Sequence, residues 1–280
     1  MRAVARPSRA LRAIARLRAG VLAAGLTALA LAAVAVPGCE GTSIGNPPGV
    51  AQAEIQLGLQ GQAGIVVRSG ELPDGGTSDD DDHDVTLDEV WLAFGDAGLL
   101  VDGQCGGAGA TPIADDVGAF AAELVTGRVL PSRPTWSRPA DERYCQLRTR
   151  LDGASAAVEG APAELAGVTL YARGKRADGV PFVARVSAPG DIGCGPASGA
   201  FSLGSGPVGM VLVFDFDDWF EHLPLADAVV EGGVITIDAT HNADLAKAVA
   251  AAVPPSARLF RDSDRNGRYE QYEGAEELGK

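Results

Sequence analysis

Aromatic and sulfur-bearing side chains are scarce in this chain. Of its 280 residues eight are Phe, four Tyr and three Trp, or 5% aromatic, alongside four Cys, two Met and three His. So few aromatics leave little for an exposed stacking surface once a core is filled. Three scattered imidazoles, His83, His222 and His241, supply little acid–base or metal chemistry. Neither His-Glu-x-x-His nor Ser-x-x-Lys occurs, so those local routes to a bound zinc or an activated serine are missing. No two cysteines are spaced as Cys-x-x-Cys, which removes the usual thiolate zinc site. The sequence Gly204–Gly209 spells Gly-x-Gly-x-x-Gly, but a β-like segment follows where a dinucleotide site needs a helix, and it reads as a loop.

Basic residues are unevenly placed. Six arginines and no acidic residue occupy Met1–Arg18, an apolar stretch of 16 residues runs from Val21 to Val36, and Val36-Pro37-Gly38-Cys39 closes the segment. That order of parts is a secretory signal peptide. The apolar run is shorter than the ~20 residues of a spanning helix. Val36-Pro37-Gly38-Cys39 resembles the lipobox of bacterial lipoproteins. The resemblance implies that Cys39 is lipidated, becomes the first residue of the mature protein and anchors it through several acyl chains, each buried methylene adding about 0.8 kcal/mol. Glu40 stands where some lipoproteins carry an inner-membrane retention aspartate, which favours the outer membrane over the inner one.

Cleavage after residue 38 changes the charge. The full chain carries 23 basic and 37 acidic side chains; the leader removes six of the basic ones, leaving 17 against 37, a net of −20. Nucleic acid is excluded as a partner on this reading, because binding a phosphate backbone needs a basic surface. Cations and cationic partners suit it better. The chain then divides into a signal peptide (1–38), a Gly-, Pro- and Ser-rich tether (39–49), a main domain (50–257) and a C-terminal segment (258–280).

Within the main domain the period is two. Ile55, Leu57 and Leu59 alternate with polar or small residues, with 65–68 as a candidate hairpin partner. Val85–Phe94 repeats the pattern with a slip at Asp88-Glu89 that reads as a bulge. In Tyr144–Leu151 the residues Cys145, Leu147, Thr149 and Leu151 are expected inward. Val168–Lys175 and Pro181–Ser187 flank an Asp178-Gly179 turn. Gly209–Phe216, apolar on both faces, predicts a central strand, and Gly233–Ile237 another. Helical signals come late: Asp218 with Glu221 suggests a short capped helix, and Asn242 is expected to cap a helix that ends at Pro254-Pro255. The fold class is mainly β, an antiparallel β-sandwich with an open β-barrel as the alternative and one or two short helices near the C-terminus.

An acidic loop, 70–84, carries Asp79–Asp82, His83 and Asp84. Its spacing fixes no coordination geometry, and it reads as a solvated charge run. Once Cys39 is used, Cys105, Cys145 and Cys194 remain, an odd number in a disulfide-permissive compartment. Three single bridges are possible. Cys105 with Cys145 is favoured, because the Gly-rich loop at 104–109 needs a staple and Cys145 lies on a strand face.

The segment Asp262–Glu273, DSDRNGRYEQYE, resembles the twelve-residue calcium loop of the EF-hand family. The resemblance implies side-chain oxygens from Asp262, Asp264 and Asn266, the carbonyl of Arg268, Glu270 directly or through water, and both oxygens of Glu273, with Gly267 at the turn. Tyr269 stands where an aliphatic residue is usual, and Arg265 and Arg268 offset the carboxylates. Weak Ca²⁺ binding is therefore expected.

The sequence thus points to a non-enzymatic envelope lipoprotein. It would display a β-sandwich and a structural or adhesive calcium ion toward an envelope protein or glycan. The alternative is a secreted-type hydrolase or carbohydrate-binding module, in which Trp91 and Trp136 would lie exposed on one side.

Overall fold

Among the described residues, side chains that alternate along fifteen strands build two sheets with the main core between them. The computed structural model describes residues 51–61, 85–105, 117–153, 158–188, 190–196, 199–220, 223–269 and 277–279. The smaller sheet contains β1 (Gln52–Gly61), β5 (Thr135–Pro139), β11 (Gly206–Phe214), β14 (Ala257–Asp262) and β15 (Glu277–Gly279), ordered β15-β14-β11-β1-β5. The larger sheet is built on β2 (Val85–Val101), β6 (Arg143–Leu151), β7 (Leu170–Arg176) and β8 (Pro181–Val186). It is completed by β3 (Phe120–Glu123), β4 (Arg128–Leu130), β9 (Gly190–Cys194), β10 (Phe201–Ser202), β12 (Val230–Glu231) and β13 (Val234–Ile237). Neither sheet closes into a barrel, so the sandwich stands and the barrel does not.

Period-two patterning sets which residues meet. Val90, Leu92 and Phe94 of β2 face Ile55, Leu57 and Leu59 of β1 and Met210, Leu212 and Phe214 of β11 in one buried cluster. Phe94 stacks on Phe120 at 4.8 Å and reaches Phe214 of the other sheet at 6.4 Å. Each such side chain contributes about 1.5–3 kcal/mol by leaving water. The bulge lies between Leu87 and Glu89, where β2 shifts register against β7. In β6, Cys145, Leu147, Thr149 and Leu151 are buried as their spacing predicts, and Tyr144 is buried as well, its hydroxyl donating to the Pro139 carbonyl at 2.9 Å.

Several expectations change. The ladders are not all antiparallel: β1 runs parallel to β11, and β8 parallel to β13. The two neighbours of β1 are β11 and β5, and residues 65–68 lie outside the described set. The boundary placed between 257 and 258 falls at the start of β14, an inner strand of the smaller sheet, so residues 258–262 belong to the sandwich.

The α-helices among the described residues are α1 (Asp217–Phe220) and α2 (Ala243–Ala252). Trp219 of α1 packs on Phe214 and Phe216, and its indole N–H donates to Ser256 Oγ at 2.6 Å. Asn242 precedes α2 but does not cap it. Its backbone is left-handed, φ 48°, and its side chain bonds elsewhere. Both outer faces carry a covered apolar patch. On the larger sheet Trp91, Ala93, Ala121 and Tyr171 pack under Leu165; on the smaller, Val211, Val213 and Phe260 pack under Tyr269.

Candidate functional site

β14 delivers the chain to Asp262, and residues 262–269 then fold back over the outer face of the smaller sheet. The element that enters the loop is a strand, not a helix. Asp262 is 4% exposed, and both of its oxygens are engaged: Oδ1 accepts the Arg265 N–H at 2.8 Å and Oδ2 the Gly267 N–H at 2.7 Å. Asp264 Oδ1 accepts the Asn266 N–H at 2.9 Å, and its Oδ2 accepts from Asn266 Nδ2 at 2.8 Å. Asn266 Oδ1 in turn accepts the Arg268 N–H at 2.7 Å. Gly267 sits at φ 75°, a left-handed turn that glycine adopts without strain.

Contacts with the sheet hold this turn in place. The Tyr269 N–H donates to Gln60 Oε1 at 2.9 Å, and the Tyr269 ring lies 4.5 Å from Phe260. A side chain at Gly58 of β1 would run into the carbonyl of Gly267, so the close approach requires glycine there. On its other side Gly267 lies against the guanidinium of Arg133. Gly58, Gln60 and Arg133 were not singled out in the sequence. The only local signal is a glycine between Gln56 and Gln60, on the face of β1 opposite Ile55, Leu57 and Leu59. Beside the loop opens a cleft of about 420 Å³, with Glu54, Gln56, Thr135, Asp264 and Arg265 among its walls.

Burial pushes the Asp262 carboxyl above its ordinary pKa, and the neighbouring Asp264 carboxyl adds to this, while the Gly267 and Arg265 N–H groups pull the other way. A bound cation would relieve both upward pressures at once. Asp262, Asp264, Asn266 and Arg268 are thus brought into one turn; Glu270 and Glu273 lie outside the described residues. Among the described residues no group of three His, Cys, Asp or Glu converges.

Cys105 and Cys145 form a disulfide, their Cα atoms 6.1 Å apart, which ties the turn after β2 to β6. Cys194 is free and buried, and burial pushes its thiol up to about 12. Trp91 and Trp136, at 3% and 5% exposure, provide no sugar platform, and the two belong to different buried clusters. His241 Nδ1 lies 2.8 Å from Thr240 Oγ1 and 3.1 Å from each Asp238 oxygen. Hydroxyl and carboxylate thus share one ring nitrogen, where a proton relay needs one at each; the cluster braces the turn before α2. Asp215 Oδ2 lies 3.8 Å from Arg258 Nη2. Cys39, the acidic stretch Asp79–Asp84 and His222 are outside the described residues.

Comparison with protein-family models, with curated proteins and with solved structures returns no match. Among the described residues no helix is long and apolar enough to cross a membrane.

Proposed function

We propose that the chain is a non-enzymatic lipoprotein of the cell envelope, held by lipid on Cys39 and favouring the outer membrane. It displays a β-sandwich whose C-terminal loop takes a weakly bound Ca²⁺ as a structural or adhesive ion. The observation that carries the reading is Asp262: a buried carboxylate, crowded by Asp264, at the first position of a loop whose Gly267 makes the required turn. Ca²⁺ prefers six to eight oxygens and tolerates irregular shells, which suits a loop led in by a strand. Asp262, Asp264, Asn266, the Arg268 carbonyl, Glu270 and Glu273 would supply them. An ion there would seam the chain end to β1 and β14, and the exposed loop would face an envelope protein or a glycan.

The test is a thermal melt of residues 46–280, which form one compact unit, in chelator and then in rising calcium. Ligand-linked stability grows as the logarithm of ion concentration over Kd, so a midpoint that keeps climbing with each tenfold step in calcium above Kd is expected, and not with magnesium. Asp262→Ala should abolish it. No rise in the parent protein would remove the calcium site. For the anchor, Cys39→Ala should move the protein from the membrane to the soluble fraction; a variant that stays in the membrane would remove the lipoprotein reading.

A further inference from the structure

Asn266–Gly267 is the sole Asn-Gly pair in the sequence, and it sits at the tip of the loop. In such a pair the glycine nitrogen attacks Cγ of the asparagine. The N–Cγ bond forms, the Cγ–Nδ2 bond breaks and ammonia leaves with the proton lost from the glycine nitrogen. Water then opens the resulting succinimide to aspartate or isoaspartate, so no oxidant or co-reactant beyond water is needed. Glycine favours the reaction because no side chain shields its nitrogen and its backbone turns freely.

Every group in that reaction is held away from it here. The Gly267 N–H donates to Asp262 Oδ2 at 2.7 Å, and that carboxylate is buried. The leaving nitrogen, Asn266 Nδ2, donates to Asp264 Oδ2 at 2.8 Å, and the side-chain oxygen Asn266 Oδ1 accepts the Arg268 N–H at 2.7 Å. The carboxamide is thus pinned at both ends. Attack requires rotating the 266–267 peptide toward Cγ, which breaks the bond to Asp262. A carboxylate is far too weak a base to remove the amide proton outright.

We propose that Asn266 is a deamidation site latched by Asp262 and Asp264: inert while the loop is closed, and converted whenever it opens. Either product places a new carboxylate at the fifth loop position. Isoaspartate also lengthens the backbone by one methylene and moves Gly267 away from Asp262, so the loop cannot reclose in register. The proposal requires no bound ion and stands or falls separately from the calcium reading.

The experiment follows Asn266 by peptide mass spectrometry, using a protease that leaves 262–268 in one fragment. The purified protein is held in chelator at mildly alkaline pH, folded and in urea, beside Asp264→Ala and Asp262→Ala. Conversion in the folded parent should be at least about tenfold slower than in urea, and each variant that a melt shows to be folded should convert severalfold faster than the folded parent. Asp264 is exposed, so its variant decides the matter should Asp262→Ala fail to fold. A folded parent that converts at the urea rate overturns the proposal. Folded variants as protected as the parent overturn it too.

Discussion

The side-chain amide of Asn242 closes on the backbone of Val229 as a neighbouring strand would. Its Oδ1 accepts the Val229 N–H at 2.9 Å, and its Nδ2 donates to the Val229 carbonyl at 3.1 Å and to the Thr236 carbonyl at 2.8 Å. This seals the chain entering β12 and ties it to β13 and the start of α2. Asn242→Ala removes three hydrogen bonds and leaves a β-carbon residue at φ 48°, where asparagine is better tolerated. A loss of about 1–3 kcal/mol is expected in urea unfolding. A loss below about 0.5 kcal/mol, the ordinary range of surface changes, would contradict the role given to Asn242.

Gly58 should tolerate no side chain. A Cβ there drives the Gly267 carbonyl off the sheet, and relief of such overpacking costs typically about 1–3 kcal/mol. Gly58→Ala is therefore expected to lower the melting midpoint and to weaken or remove any calcium-dependent rise. An alanine variant that melts with the parent would mean that the loop does not rest on β1.

The calcium-free loop should have an inverted acid response. Because Asp262 has a raised pKa in the folded chain, its stabilising contribution is present below its unfolded value and is lost as pH rises through the folded one. Parent stability relative to Asp262→Asn, measured by urea unfolding in chelator, should therefore improve as pH falls from neutral into the acidic range. A difference that is flat, or that moves against the parent, would contradict the raised value. Calcium affinity should fall over the same window, since the ion competes with that proton.

Cysteine chemistry should separate cleanly. The Cys105–Cys145 bridge closes a separation of 40 residues, for which removal by a double serine substitution should cost about 2–4 kcal/mol. Cys194, 1% exposed and with its thiol pushed up to about 12 by burial, should resist thiol reagents at neutral pH until the chain unfolds. Unfolding without reductant should then expose one thiol equivalent from residues 46–280. Rapid labelling of the folded protein would contradict its burial.

Much of the strand content was legible because alternation is local. A β-strand presents every second side chain to the core, so Val90, Leu92 and Phe94 declared their face, as did Leu147, Thr149 and Leu151, without knowledge of any partner. The Asp178-Gly179 hairpin and the slip at Asp88-Glu89 were equally readable, since each is decided within a few residues. The candidate loop was visible for the same reason, its spacing being contained in Asp262–Glu273.

Partnership between distant segments was decided only by the tertiary structure. Nothing near residue 53 indicates that β1 will lie parallel to β11 at residue 206, because parallel pairing depends on a crossover and on both sheets packing at once. Trp91 lies on the face opposite Val90 and Leu92, and that face is covered by the segment around Leu165, so a side chain that a sugar-binding module would expose is buried. Asn242 has the residue type of a helix cap, and the nearby backbone of Val229 claims its amide instead. The order of residues determined which way side chains point and where the chain turns, through steric rules acting over one or two peptide units. What covers each face, and which backbone groups each polar side chain meets, were settled by contacts between segments far apart in the chain, whose closeness exists only after folding.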